Sequence, residues 1–513
     1  MSTPTPVVGS SRPRSSNSGV VPDADGLPSP WHDAALGAVA SIPGAALFGA
    51  GMAVFGTLPT IAQIMRSDVA AVGLAVHLVV SAALGAGLGV LVRRQSGAGG
   101  GLVWWSAVYA GAWWLLGALT ALPVLVGDAL AWQLSDAQAQ LPSLFGHLVW
   151  GVATGATLTV IRGERPARRT DRRPWGAILR AIVAGAVAAL ALQMLLGAAG
   201  TSLLPDGLVA DPLPTWLSTT QRQSLTVALP FGLVALGLGP GSANEPIGPV
   251  LIRGCLTGVG WWMTVTLTAL PLLVGVRPAW TIQQARAGFV TLPPLVLVAV
   301  IAAVVCAVLE RVGSALFSDR VATGDEGAGT VGLRALAVGT SAGLAGGAVF
   351  AVVLVGVDAM QRVAGLMGSG SMLVGLVVHL AIASAIGVIF ALAFRHHAPD
   401  VASALGWGLS YGMLWWVLGG LTLLPVLLGE PVAWSVGAAG AQLPSLVGHL
   451  LYGMAMAVAI AAIDAGYSPW WIARQRRQQE RLTRRLELVR SSAPALWASG
   501  AMTAVLIMLI LAG

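Results

Sequence analysis

Lysine is absent from the sequence, and all 28 of its basic side chains are arginine. Charge of any kind is scarce. Only 10% of the 513 residues are charged, against about 25% in an ordinary soluble domain, and that shortage excludes a water-soluble globular fold. Cysteine occurs twice, at Cys255 and Cys306, in apolar stretches near the expected cytoplasmic ends of two helices. No disulfide framework is expected from them, and thiols so placed behave as small apolar groups. Residues 1–33 are rich in Ser, Pro and Gly and lack an apolar core. They read as a disordered cytoplasmic tail and not as a cleavable signal peptide.

What is present in quantity is apolar: 56% of the residues are hydrophobic. A spanning helix takes about 20 mostly apolar residues, and uncharged stretches of that length recur along nearly the whole chain. The sequence therefore predicts an all-α, polytopic integral membrane protein. Helices are expected over residues 36–63, 69–92, 102–126 and 142–161, then over 181–203, 224–239, 250–274 and 289–309. Four more fall at 336–357, 372–394, 402–428 and 443–463, with a last one at 493–511.

These helices fall into three tandem four-helix units. Residues 103–151 match residues 405–453 at a constant offset of 302 without a gap. Tyr109, Trp113, Trp114, Leu119, Thr120, Leu122, Pro123, Ala131 and Trp132 meet Tyr411, Trp415, Trp416, Leu421, Thr422, Leu424, Pro425, Ala433 and Trp434. Downstream, Leu141, Pro142, Ser143, Leu144, Gly146 and His147 meet Leu443, Pro444, Ser445, Leu446, Gly448 and His449; upstream, His77 meets His379. A decayed third copy lies between, marked by Trp261, Trp262, Leu267, Thr268, Leu270, Pro271, Ala279 and Trp280. It has lost both histidines, and Val298 stands where His147 would, after a three-residue insertion. The organisation expected is a tail (1–33), a first unit (34–161), a basic linker (162–177), a degenerate unit (178–311), a flexible linker (312–332) and a final unit (333–464). A basic amphipathic helix (474–490) and a thirteenth span (493–513) follow.

With the N-terminus inside, 23 of the 28 arginines fall on one side of the membrane, as the positive-inside rule requires of the cytoplasmic side. The exceptions are Arg66, Arg222, Arg277, Arg286 and Arg362. Net charge +7 thus reflects topology and contact with the lipid bilayer, and gives no ground for nucleic-acid binding. In residues 474–490, Leu482, Leu486 and Val489 recur at helical spacing among seven arginines, which suits anionic lipid at the inner leaflet. A solvated charged connector is the alternative.

Ionisable groups inside spans are costly and face the bundle interior or a wet cavity. His77 lies about eight residues into its helix and His147 about five into its own, both entering from the same side; at about 1.5 Å per residue their depths nearly coincide. The two imidazoles are expected to face one another, and His379 with His449 repeats the arrangement. Paired neutral imidazoles suit haem iron or a transition metal such as copper or zinc, and equally a proton relay. The competing reading is that each histidine bonds a backbone carbonyl and does nothing more. Asp128 and Glu430 align beside the two pairs and either orient a histidine, take a proton or stay solvated. Tyr109 and Tyr411, inside the third helices, are expected to find one hydrogen-bond partner each. No nucleophile–base arrangement of a hydrolase is present.

At Phe145, Gly146, His147, Leu148, Val149 and Trp150, preceded by Leu119, Thr120 and Pro123 and with His77 upstream, the unit resembles the YagU-like bacterial inner-membrane proteins. The resemblance covers the two outer units and departs at both histidines of the middle one. It implies a four-helix membrane fold in the bacterial inner membrane and a role in acid or envelope stress, without naming a reaction. Three functions follow as expectations. The first is a haem- or metal-binding protein for electron or proton transfer, the second a transporter built around a central path, and the third a structural subunit of a larger membrane complex.

The topology is tested by reporter fusion. An alkaline phosphatase placed after Arg173 is expected to be inactive and one placed after Gln133 active; the reverse pattern would invert the chain in the membrane.

Overall fold

The computed structural model describes residues 29–95, 101–162, 174–198, 247–317, 328–394, 397, 400–466, 482–483 and 493–513. The helix expected over 224–239 lies outside them. So do nearly all of the N-terminal tail, the amphipathic segment 474–490 apart from residues 482–483, and the middle of both linkers. Among the described residues the chain is all-α, and eleven helices are long and apolar enough to cross a membrane.

The first unit contains α1 (Pro30–Phe55), α2 (Ala70–Leu91), α3 (Gly101–Trp113) and α4 (Leu141–Ile161). The middle unit shows α5 (Pro174–Ala198), α6 (Ile247–Trp261) and α7 (Leu292–Phe317). The last has α8 (Ala328–Gly356), α9 (Met372–Phe394), α10 (Val401–Trp415) and α11 (Leu443–Gly466), and α12 (Ala493–Leu511) follows. In the outer units the first helix packs against the second and the fourth, and the third packs against the fourth. In the middle unit α7 packs against both α5 and α6.

Several boundaries differ from expectation: α5 begins at Pro174 and α8 at Ala328, inside the stretches expected as linkers, and α7 runs on to Phe317. The segment 36–63 is not one helix. α1 starts earlier, capped by Ser29, and stops at Gly56, which adopts φ 71°; a short helix, Leu58–Ala62, then turns back. In the last unit Asp358 takes the same left-handed conformation, and Arg66 likewise pairs with Gly368 at the 302-residue offset. Because one member of each pair is Gly and the other is not, the turn is imposed by the packing around it and not by the residue's own preference.

The third helix of each unit carries the strongest local signature. α3 continues without interruption through a π-helical stretch, Trp114–Ala121, and into Leu122–Val126. α6 and α10 do the same through Trp262–Ala269 and Trp416–Leu423. The sequence explains why. Proline has no N–H to give to the carbonyl four residues back, so Pro123, Pro271 and Pro425 leave Leu119, Leu267 and Leu421 without their helical partner. In lipid a freed carbonyl must be satisfied from within the protein. The loop supplies it: Ala131, Ala279 and Ala433 donate their N–H to those carbonyls at 3.0, 2.7 and 2.9 Å. The next residue in each loop locks the arrangement, as Trp132, Trp280 and Trp434 donate Nε1–H to the hydroxyls of Thr120, Thr268 and Thr422. Each threonine in turn donates to the carbonyl five residues back, the π-helical spacing. Trp114, Trp262 and Trp416 tie the same stretch to the start of the fourth helix through the carbonyls of Gln140, Gly288 and Gln442.

Close approach of α1 and α2 depends on glycine. A Cβ on Gly37 would coincide with the Gly85 carbonyl, and Gly387 meets the Gly339 carbonyl in the same way in the last unit. At one end of the first unit Asp33, expected in the tail, is buried inside α1. It pairs with Arg93 at 3.5 Å and Arg162 at 3.6 Å, which joins the ends of α1, α2 and α4. The last unit links the same two helices differently: Arg334 on α8, next to Ala335 at the position of Asp33, bonds Asp464 on α11 at 2.7 Å, and Asp464 occupies the position of Arg162.

α12 occupies the centre. It packs against α3, α6 and α10, the third helix of every unit, and against the short helices Leu134–Ala139, Ile282–Gly288 and Val436–Ala441. Its last carbonyls have no helical partners. Gln138 donates to Leu509 and Ala512 at 2.9 and 2.7 Å, and Arg286 donates to Ile510 at 2.8 Å and to Ala512. Gln138, Arg286 and Gly440 are the same position of the three units, at offsets of 148 and 302. At the third, Gly440 brings bare backbone up to the Leu511 carbonyl. Arg286, an exception to the arginine asymmetry, is there as a helix cap.

Asp33→Ala is expected to destabilise the protein by roughly 3–5 kcal/mol, because two cations lose the buried carboxylate between them. Arg334→Ala, at a pair about one-third exposed, should cost under about 1 kcal/mol. Unfolding in detergent micelles checks both, and equal losses would contradict the assignment of the Asp33 cluster as the buried clasp.

Candidate functional site

The four histidines lie where their helices put them, but not face to face. α1 stands between α2 and α4, since it packs against both. Its Phe48 ring lies against His77, with centroids 5.0 Å apart and edge-on at 86°, and against His147, 4.9 Å away and tilted by 59°. Phe350 does the same between His379 at 5.2 Å and His449 at 4.6 Å. In place of the expected imidazole–imidazole contact, both imidazoles of each pair rest against one phenyl ring, one edge-on and one tilted. Gly146 and Gly448 explain the glycine before each fourth-helix histidine: a Cβ on either would fall inside the phenyl ring.

Each imidazole has one nitrogen committed to a backbone carbonyl. His77 Nε2 lies 3.0 Å from the Ala45 oxygen and His379 Nε2 2.9 Å from the Gly347 oxygen. His147 Nδ1 and His449 Nδ1 each lie 2.8 Å from the carbonyl one turn back, on Ser143 and Ser445. A carbonyl only accepts, so these nitrogens carry the proton and the neutral tautomers are set. The lone pairs belong to Nδ1 of His77 and His379 and to Nε2 of His147 and His449. In the last unit that Nε2 faces the π-helical stretch of the third helix, close to Gly419 and Gly420.

The other expected residues are placed as follows. Glu430 forms an ion pair with Arg362, and both are exposed. Asp128 is exposed at the matching loop position, its N–H bonded to the Pro123 carbonyl. Among the described residues no hydrogen bond or ion pair joins either carboxylate to an imidazole. Tyr109 and Tyr411 donate to the carbonyls of Leu84 and Ile386 at 3.1 and 3.2 Å, which links the second and third helices. Cys255 and Cys306 form no disulfide.

Sequence reasoning missed Phe48 and Phe350. Their signal was present, since they match at the same 302-residue offset as the histidines, but an apolar residue in an apolar helix carries no chemistry to draw attention.

A haem held by two imidazoles needs the space that each phenyl ring fills, so the residues present do not fit haem at these pairs. A single metal ion shared by the pair would likewise need that ring to turn aside, because both imidazoles touch it. Among the described residues no cluster of three or more His, Cys, Asp or Glu is placed to hold one, so the protein donors are the two free imidazole nitrogens of a pair. A closed structural zinc site uses four protein ligands; two leave the ion open and exchangeable.

Gly146→Ala and Gly448→Ala are each expected to cost about 1–3 kcal/mol through overpacking, read as a lower melting temperature in detergent. Phe350→Leu should recover part of the Gly448→Ala loss, and no recovery would argue against the phenyl seat.

No family model matches the chain, and no curated protein and no solved structure matches it.

Proposed function

We propose that the protein is a multi-pass membrane protein whose outer units each bind one exchangeable transition-metal ion at a histidine pair, His77 with His147 and His379 with His449, the ring of Phe48 or Phe350 turning aside to admit it. One observation carries this reading. The middle unit keeps the complete Pro–Leu–Ala and Trp–Thr bonding network of its third helix and has neither histidine; Val298 fills the position of His147 and is fully buried. The described part of the middle unit thus forms without a histidine, yet both outer units have the pair with the same tautomers. An imidazole with one N–H fixed on a carbonyl and the opposite nitrogen free is oriented as metal-binding histidines are oriented. Copper, zinc, iron and nickel are the ions that imidazole suits. Two protein donors hold such an ion loosely enough to hand it on, so the role is exchange and not structural reinforcement. The same lone pairs would accept a proton, which is the second chemistry of the site. The likeness of the outer units to YagU-like proteins sets this activity in the bacterial inner membrane under acid or envelope stress.

Transport around a central path is the weaker reading, because α12 occupies that centre.

The test is metal content of the detergent-purified protein after incubation with Cu(I) or Zn(II) and removal of excess. Two ions per chain are expected, one in His147→Ala or His449→Ala, and none in the double variant. A protein that holds no metal, or holds it equally well in the double variant, would overturn the proposal.

A further inference from the structure

The three loop tryptophans occupy equivalent positions, hold equivalent hydrogen bonds to threonine, and differ in one respect. Trp280 is 4% exposed and Trp434 3%, whereas Trp132 is 64% exposed. Trp280 is buried because it reaches into the first unit, where it stacks on Phe55 at 5.7 Å and on Phe145 at 6.0 Å. That is the joint between the middle and first units. At the joint between the last and middle units, α7 packs against the π-helical stretch of α10, and Val296 and Val417 line one small cavity. Val296 is the counterpart of Phe145.

Three units around one helix make three joints. The remaining one should bring Trp132 and Leu115, the counterpart of Val417, onto Val357 and Val447, the counterparts of Phe55 and Phe145. All four side chains are exposed instead. Both halves of the joint are present and neither is covered. At the opposite end of α3, Trp104 packs, partly buried, against the cluster of the last unit that includes Ala493 and Leu496 of α12. That end of α3 is anchored on α12, while the loop end has no such cover.

We infer that the joint between the first and last units is a lateral gate, in which the α11 face carrying Val447 closes on the π-helical stretch of α3 carrying Leu115 and takes Trp132 against Val357. The covering surface is identified by the other two joints, both of which use the position of Phe145 and its counterpart Val296. Trp132 is already posed for it, since its indole N–H bond to Thr120 at 3.1 Å is the one its buried counterparts make. Lipid chains are as apolar as the surfaces that would meet, so closing gains packing and releases lipid without a hydrophobic driving force. That near balance is what allows the joint to open and shut. Closure leaves the histidine pairs untouched, and the inference stands independently of metal binding.

Disulfide cross-linking in native membranes tests it. In a Cys255→Ala, Cys306→Ala background, the pair Leu115→Cys and Val447→Cys is compared with the pair Val296→Cys and Val417→Cys, which marks a shut joint. Leu115 and Val447 are both exposed, so those substitutions leave the core intact. A protease site inserted between residues 318 and 327 reports whether the link lies within one chain, because cleaved halves then stay together on a denaturing gel. The exposed pair is expected to link within the chain, roughly tenfold or more slowly than the control, since only the closed fraction reacts. If the control links while the exposed pair does not, lipid alone occupies the joint. If the exposed pair links only between chains, a second copy covers it. Either result overturns the gate. Spin labels at the same two positions give an independent reading: two distance populations support the gate, and a single long one refutes it.

Discussion

A backbone carbonyl in a membrane has to find its donor inside the protein, and most of this architecture follows from how that demand is met at three prolines. Pro123, Pro271 and Pro425 each free one carbonyl in a third helix, and each time the donor comes from the loop that leads to the fourth helix. The freed carbonyl fixes the loop, the loop fixes the tryptophan, and the tryptophan bonds the threonine of the widened π-helical turn. A break that would weaken an isolated helix becomes the point where third helix, loop and fourth helix are joined.

The same demand places α12. Its final carbonyls are met by Gln138 and Arg286 from equivalent loop helices and approached by backbone at Gly440. One helix is thereby in contact with all three units through the same element of each. It also closes the centre of the bundle, so that space between units lies at the joints. Those joints are unequal, with Trp280 and Trp434 buried and Trp132 facing outward. A chain built from related units therefore departs from symmetry at the joint between its first and last units.

Chemistry and architecture separate cleanly in the middle unit. It retains every residue of the proline, threonine and tryptophan network and carries neither histidine, so the network does not depend on them. Their surroundings in the outer units are specific. One phenyl ring contacts both imidazoles, a glycine seats that ring, and each imidazole keeps one nitrogen free.

The sequence by itself determined the all-α membrane class, the correspondence of the outer units and the recurrence of the histidines. All three rest on composition and on residue identity at a fixed offset, which need no knowledge of neighbours. The motif around Leu119, Thr120, Pro123 and Trp132 was legible as a repeat but not as a bonding circuit. Its links join residues 12 apart across a turn whose shape depends on the π-helical widening. Only the tertiary structure decided that α1 lies between α2 and α4, because nothing in an apolar helix states which neighbour it will face. Phe48 therefore went unnoticed, and the imidazoles were expected to meet. The charged link from the first helix to the fourth was hidden for a related reason. It runs from Asp33 to Arg162 in the first unit and from Arg334, one residue before the Asp33 counterpart Ala335, to Asp464 in the last, so residue-by-residue matching across the repeat finds no shared ion pair.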